Sequence, residues 1–376
     1  MEDTAAIRAS AIVEEDLDYI CRYLEQEFRE LSGCRLLITG GAGFLGYYLA
    51  QSVLRWNDTI GRSSAPIDVV ICDNYWRGRP SWCESLSARR DVTLFEHDVR
   101  RPLPQTLPAY HYIMHAASIA SPTYYRRWPL ETMDANVCGL RSVLEYARRQ
   151  QHSGAAVRAV LFFSSSEIYG DPTPENIPTP ETYRGHVSCT GPRACYDEAK
   201  RYGETLCVMF ARHAGVPAKI VRPFSNYGPG LKITDRRVIP DFARAVLNNR
   251  DIVVYSDGSP RRTFCYAADA VVGYFKVLVR GQVAEPYNIG VDEPEVTIRE
   301  LAHLVASQAG DLFGYCGQVV GGRSSDNQYL VDDPARRCPV IDKASRELGF
   351  NPRTPLSDGI RRSLIWYAEH CTGTEA

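Results

Sequence analysis

The chain has 376 residues, 23% of them charged and 44% hydrophobic, and a formal net charge of −2. That length exceeds the roughly 100–200 residues of one typical domain, so it accommodates two domains and a sizeable core. The near-neutral balance excludes the basic face of a nucleic-acid or membrane-surface protein, and no run approaches the ~18 apolar residues of a membrane span.

In chain order, the acidic start MEDTAAIRASAIVEEDLDYI has no long apolar run and is not a signal peptide. Val13, Leu17, Ile20, Leu24, Phe28 and Leu31 recur at spacings of three and four, which predicts a helix over 11–32 that packs on the body or on a second subunit. Short, nearly continuous apolar strands are predicted at 35–39, 67–72, 92–96, 112–116 and 159–163, with crossover helices at 43–55, 129–150 and 191–214. Strands of that kind are buried on both faces of a parallel sheet. The expected class is therefore α/β, a Rossmann-type doubly wound parallel sheet with a smaller C-terminal substrate-binding domain. The expected boundaries are 1–33 for a helical extension, 34–222 for the dinucleotide-binding domain, with part of 263–286 returning to it, and 223–376 for the substrate domain. The 12 cysteines include no C-x-x-C pair, so no metal site is expected. Free thiols in a reducing cytoplasm fit the chain better.

Directly after the first strand, Thr39-Gly40-Gly41-Ala42-Gly43-Phe44-Leu45-Gly46 places glycines at G-x-x-G-x-x-G and leads into a helix. Such a loop turns tightly, brings backbone N–H groups to a pyrophosphate and points a helix N-terminus at it. Asp73 and Asn74 close the second strand. An acid there accepts from a ribose 2′-hydroxyl and repels a 2′-phosphate, which favours NAD over NADP. Asp98 and Val99 follow the third strand and suit adenine recognition. Ala116, Ala117 and Ser118 end the fourth, where small residues let a cofactor lie close.

Tyr196 and Lys200 stand four apart on a predicted helix and share one face. An ammonium beside a phenol lowers its pKa and makes a base for a sugar hydroxyl. Ser164-Ser165-Ser166-Glu167 ends the fifth strand, where parallel sheets deliver catalytic groups. Arginine outnumbers lysine 38 to 5, and Lys200 is the first lysine in the chain. At a site that needs a compact ammonium the two are not interchangeable.

TGGAGFLG, HDV, HAAS with its following SP, SSSEIYG, GPRACYDEAK, RPFSNYGP and RRTFCYAAD, in that order, resemble the extended short-chain dehydrogenase/reductase family of nucleotide-sugar enzymes across residues 34–370. Within it they are most similar to the UDP-glucuronate decarboxylases. The resemblance implies bound NAD, a UDP-sugar substrate and a homodimer packed through helices that include the one bearing Tyr196. It implies C4 oxidation with Tyr196 as base and Lys200 tuning it, and Ser165 bonding the C4 oxygen. Ser166 and Glu167 are expected to face the sugar, and Arg262 to meet the carboxylate. Ser118, Tyr125, Ser225, Asn226, Arg237 and Tyr266 are carried over as further substrate contacts.

The chain departs from the family pattern in three places. Ser225 stands for the usual substrate asparagine, Gly230 for an arginine, and Ser165 for a threonine. The rivals are a nucleotide-sugar 4-epimerase, which needs no acid or base at C5, and a 4,6-dehydratase. The non-enzyme alternative is an NAD-binding scaffold.

Overall fold

The computed structural model describes residues 8–371, so residues 1–7 of the expected N-terminal extension lie outside the described residues. Seven parallel strands form the central sheet: β1 Arg35–Thr39, β2 Asp68–Asp73, β3 Val92–Glu96, β4 Tyr112–His115, β5 Ala159–Phe163, β6 Ala218–Pro223 and β7 Pro286–Ile289. Their spatial order is β7-β6-β5-β4-β1-β2-β3. The helices are α1 Ala9–Tyr23, α2 Glu25–Leu31, α3 Phe44–Asp58, α4 Ser81–Ser85, α5 Pro122–Arg127, α6 Pro129–His152, α7 Ala194–Ala214, α8 Val238–Leu247, α9 Ala267–Arg280, α10 Ile298–Phe313, α11 Asp342–Leu348 and α12 Leu356–His370. This is the doubly wound α/β class that the strand and helix pattern predicts. Among the described residues no helix is long and apolar enough to cross a membrane.

Both faces of the sheet are covered, which explains why its strands carry little polar alternation. Leu36, Ile38, Val69, Ile71, Met114 and Leu161 point to the side that holds α1, α3 and α9. Leu37, Val70, Ile113, Val160 and Phe162 point to the other side, against Leu140, Val143 and Leu144 of α6 and Leu206 and Cys207 of α7. Fully burying each such side chain contributes roughly 1.5–3 kcal/mol.

The C-terminal half adds short strand pairs. Residues 226–227 pair with 265–266, and 252–254 pair with 319–321. Strand 261–262 lies between 296–297 and 336–337, which registers Arg262 beside Arg337. α9 packs on β5 and β6, and β7 extends the central sheet from β6.

The predicted helix over 11–32 is broken at Leu24, where φ is −117° and ψ is 16°. The break separates α1 from α2 and still buries Leu24, Phe28 and Leu31 completely, with Phe28 against Trp56 and Phe275. α1 packs on α3, α9 and α12 of the same chain. It carries a buried carboxylate into that interface. Asp16 accepts from Tyr48 and Tyr266 hydroxyls, each at 2.7 Å, and from Arg362 at 3.0 Å. Burial raises its pKa to about 6, against the opposing pull of these three partners.

Asp16→Ala leaves two buried hydroxyls without an acceptor, at about 1–3 kcal/mol each. A loss of about 2–5 kcal/mol in denaturant unfolding is expected. A carboxyl whose pKa rises on folding binds its proton more tightly in the folded state. Its contribution is therefore fully present in acid and is lost as pH climbs from about 4 to about 6. The stability difference between the parent chain and Asp16→Asn should fall over that window and be flat above it, measured by unfolding at stepped pH.

Candidate active site

β1 neighbours both β2 and β4, so the chain reverses its winding direction there and leaves a crevice at the C-terminal strand ends. A cavity of about 1120 Å³ occupies it, lined by residues of the glycine loop, by the ends of β2 to β5 and by the C-terminal half. Gly40 has φ +71°, and a Cβ there would lie 2.6 Å from Ala117 Cα. A Cβ at Gly46 would lie 2.5 Å from the carbonyl oxygens of Gly40 and Gly41. The loop, the strand β4 end and the first turn of α3 therefore touch backbone to backbone, which is the cradle a pyrophosphate needs.

Every cofactor residue expected from the sequence lines this cavity: Gly40, Gly43, Phe44, Leu45, Gly46, Asp73, Asn74, Asp98, Val99, Ala116 and Ala117. Asp73 does local work as well. Its Oδ2 accepts the Ala42 N–H at 3.1 Å and its Oδ1 the Tyr75 N–H at 2.9 Å, so the acid braces the glycine loop. Asp98 is held ionised, below the ordinary carboxylate range, by its hydrogen bonds from Arg100. The glycine cradle, the small strand β4 end and the acid at the end of β2 fit a dinucleotide without a 2′-phosphate.

Tyr196, Lys200, Ser165, Ser166 and Glu167 converge on the same cavity. The three serines of the β5 end do different things. Ser164 turns away and donates to Glu204 at 2.5 Å, and Glu204 is forked by Arg222. Ser165 hydrogen-bonds the Tyr196 phenol. Ser166 lines the cavity beside Glu167. Lys200 Nζ donates to Phe163 O at 2.6 Å and lies 5.5 Å from the Tyr196 ring centroid.

The electrostatics differ from the sequence expectation. Burial pushes the Tyr196 phenol up to about 12, and the Ser165 bond only partly offsets it. Burial pulls the Lys200 ammonium down to about 7. Desolvation dominates both groups, so at neutral pH the protein alone keeps Tyr196 protonated.

Glu167 is the most constrained group of the site. Its Oε2 accepts from Arg193 at 2.6 Å and from Arg337 at 2.7 Å. Burial works to raise its pKa, and the two guanidiniums overcome burial and hold the carboxyl well below the ordinary range. Asp197 is one turn from Arg193 and shares it at 3.9 Å; burial, with Glu167 adding to it, pushes its carboxyl up. Arg193, Arg337 and Asp333 line the cavity and were not picked out by the sequence reading. Their signal was present only as Arg193 inside GPRACYDEAK and as Asp332-Asp333-Pro334 followed by Arg336-Arg337.

Several expected substrate contacts need correction. Tyr266 does not reach the cavity: its hydroxyl is spent on Asp16 under α1. Tyr125 stacks on the Tyr196 ring at 5.0 Å and 12°, so it backs the phenol from behind. Arg262 lines the cavity, but its guanidinium is occupied by Asp333 and by the carbonyls of Arg261, Pro334 and Ala335. It fastens the segment that carries Arg337. Asn226 lines the cavity with its amide committed to Tyr274 and to Phe224 O. Ser225, at φ +37°, Ser118 and Arg237 line it too. Among the described residues no group of three or more His, Cys, Asp or Glu side chains is arranged to hold a metal ion.

The profile of the NAD dependent epimerase/dehydratase family matches residues 36–290. UDP-glucuronic acid decarboxylase 1 of Xenopus tropicalis is 35% identical over 333 residues, covering 89% of this chain and 72% of the relative. UDP-glucuronic acid decarboxylase 5 of Arabidopsis thaliana is 35% identical over 329 residues, covering 88% of each. The crystal structure of DesIV, a dTDP-glucose 4,6-dehydratase from Streptomyces venezuelae with NAD bound, superposes with a TM-score of 0.74 at 25% identity, covering 89% of this chain and 97% of that one. The glycine cradle, the Tyr196–Lys200 helix face and these likenesses agree on an NAD-dependent enzyme, and the chain belongs to the NAD dependent epimerase/dehydratase family.

Proposed function

We propose that the chain decarboxylates UDP-glucuronate to UDP-xylose. The observation that carries this reading is the arginine-rich wall around Glu167. Arg193, Arg262 and Arg337 gather there around Glu167 and Asp333, with Asp197 3.9 Å from Arg193. Among the described residues Arg337 pairs with Glu167 alone, and its remaining donors are the ones offered to a substrate carboxylate. The relatives named UDP-glucuronic acid decarboxylase support the choice of sugar.

NAD, held by the glycine loop with Asp73 and Asp98, would supply the hydride acceptor and donor for C4. Tyr196 Oη takes the proton of the C4 hydroxyl, with Ser165 aligning that oxygen, and Tyr125 fixes the plane of the phenol. Lys200, on the same helix face, and a bound nicotinamide would together bring the phenol down from the level that burial sets. Oxidation at C4 makes the C6 carboxylate a β-keto acid. The C5–C6 bond breaks, CO2 leaves, and the electron pair passes into a C4–C5 enolate. Glu167 is ionised and has no proton to give, so it orients a hydroxyl or water whose proton goes to C5. Arg337 is the better cation for the C6 carboxylate. Its only side-chain hydrogen bond is to Glu167, whereas the Arg262 donors are engaged by protein.

The nucleotide half of the substrate is assigned to the part of the chain after residue 223 that is not α9 or β7. We place the enzyme in the cytoplasm, as a homodimer through α6 and α7. Leu130, Met133, Tyr202 and Met209 leave an exposed apolar face on that helix pair, and an apolar patch of this kind marks an association surface. The mass in solution tests it: Tyr202→Glu should shift a dimer to monomer.

Incubation with UDP-glucuronate should release CO2 and yield UDP-xylose by NMR, with a transient absorbance near 340 nm. Formation of UDP-galacturonate would replace the reading with a 4-epimerase, and a protein with no absorbance change would be a binding scaffold. Tyr196→Phe should lower kcat by about 10²–10⁴ and leave NAD binding intact. Arg337→Ala should slow CO2 release far more than C4 oxidation, so the 340 nm signal persists. Arg262→Ala should lower stability along with both steps. Equal loss of both steps in Arg337→Ala would return the carboxylate to another residue.

A further inference from the structure

In the same cavity as Glu167, the turn that follows β2 is tied to the loop in front of α8. Arg77 donates from Nη1 to Asp235 Oδ2 at 2.8 Å, and Arg237 Nε lies 2.8 Å from Oδ1 of the same carboxylate. The Asp235 side chain is 4% exposed, while the Arg77 and Arg237 side chains are 33% and 32% exposed. All three line the cavity. The junction is braced from several directions. Lys232 Nζ donates to Arg77 O at 2.5 Å, Tyr124 Oη to Thr234 O at 3.0 Å, and Ser121 Oγ to Asp235 O at 2.6 Å. The Arg77 guanidinium lies over the Tyr124 ring, 4.6 Å from its centroid.

One buried carboxylate lies between two guanidiniums, and Lys232, Arg236 and Asp241 line the cavity with them. Arg77 uses one guanidinium nitrogen on Asp235, and among the described residues neither terminal nitrogen of Arg237 has a hydrogen-bond partner. Arginines that a buried acid aims into a cavity, with donors left over, are arranged for an oxyanion. Their forks match phosphate geometry. The two arginines also come from different walls. Arg77 belongs to the turn opened by Asp73 and Asn74 at the cofactor end, and Arg237 precedes α8 at the substrate end.

We propose that Arg77 joins Arg237 in gripping the substrate's diphosphate, with Asp235 as the positioning residue for both, and that this grip couples the two ligands. A diphosphate held by Arg77 also holds the turn 74–79 against the adenosine end of the cofactor, so each ligand slows the departure of the other. This rests on the reading of the substrate as a nucleoside diphosphate sugar. Coupling of this kind is reciprocal, because either ligand biases the same turn. It suits a reaction in which one NAD is reduced and reoxidised in place and has to stay bound between the two steps.

The test is the rate of NADH release from the full chain, followed by fluorescence after dilution into excess NAD, with and without UDP or dTDP. In the parent chain one of the two nucleotides should slow release by at least about fivefold, the low end of ordinary coupling. In Arg77→Ala that ratio should fall to near one while the unfolding temperature matches the parent's, and Arg77→Lys should restore part of it. Should Arg77→Ala not fold, Arg77→Thr serves in its place. Retention of the full ratio in either variant overturns the proposal, as does the absence of any nucleotide effect in the parent. No turnover is involved in the measurement. A parent chain that releases CO2 from UDP-glucuronate but shows no nucleotide effect on NADH release sinks only the coupling. An intact ratio without CO2 release sinks only the decarboxylase reading.

Discussion

A carboxylate buried at the end of a parallel strand has to be paired, and the pairing of Glu167 organises the catalytic end of this molecule. Its two partners come from Arg193, just before α7, and from Arg337, some 140 residues further along. Removing a partner from a buried ion pair typically costs about 3–5 kcal/mol, because the remaining charge stays out of water. The three segments are thus held in one arrangement by a charge that none of them can abandon. The same clamp keeps Glu167 ionised and brings Arg193 and Arg337 to one wall of the cavity.

At the cofactor end the constraint is steric. The backbone of the glycine loop rests on Ala116 and Ala117 so closely that a side chain at Gly40 or Gly46 cannot be placed. Asp73 then fixes the loop by accepting two backbone N–H groups. Steric fit at one end and buried charge at the other leave the cavity between them well defined. The Arg77–Asp235–Arg237 junction spans it where the cofactor wall meets the substrate wall.

Much of this was legible from the residues. Strands β1, β3 and β5 fall where the apolar runs put them, because a run buried on both faces has few alternatives. The Tyr196–Lys200 pair and the glycine loop are local patterns whose spacing survives folding. The break at Leu24 was not legible, since both helices bury the same apolar spacing and only the docking surface decides the bend. Tyr266 was misplaced because its neighbours in sequence line the cavity while its own ring points under α1 to Asp16. Arg262 and Arg337 look alike in sequence. Only the parallel pairing of their two-residue strands shows that carbonyls occupy one guanidinium and Glu167 meets the other.

Five of the seven sheet strands, the cofactor loop and the tyrosine–lysine helix face can be read from the chain alone, because each pattern depends on residues within a few positions of one another. Which charges meet, and so which arginine keeps donors free of protein carbonyls, is settled only by the tertiary structure. Burial and ion pairing depend on segments brought together from opposite ends of the chain. Desolvation moves a buried group such as Tyr196 further than a neighbour in sequence does.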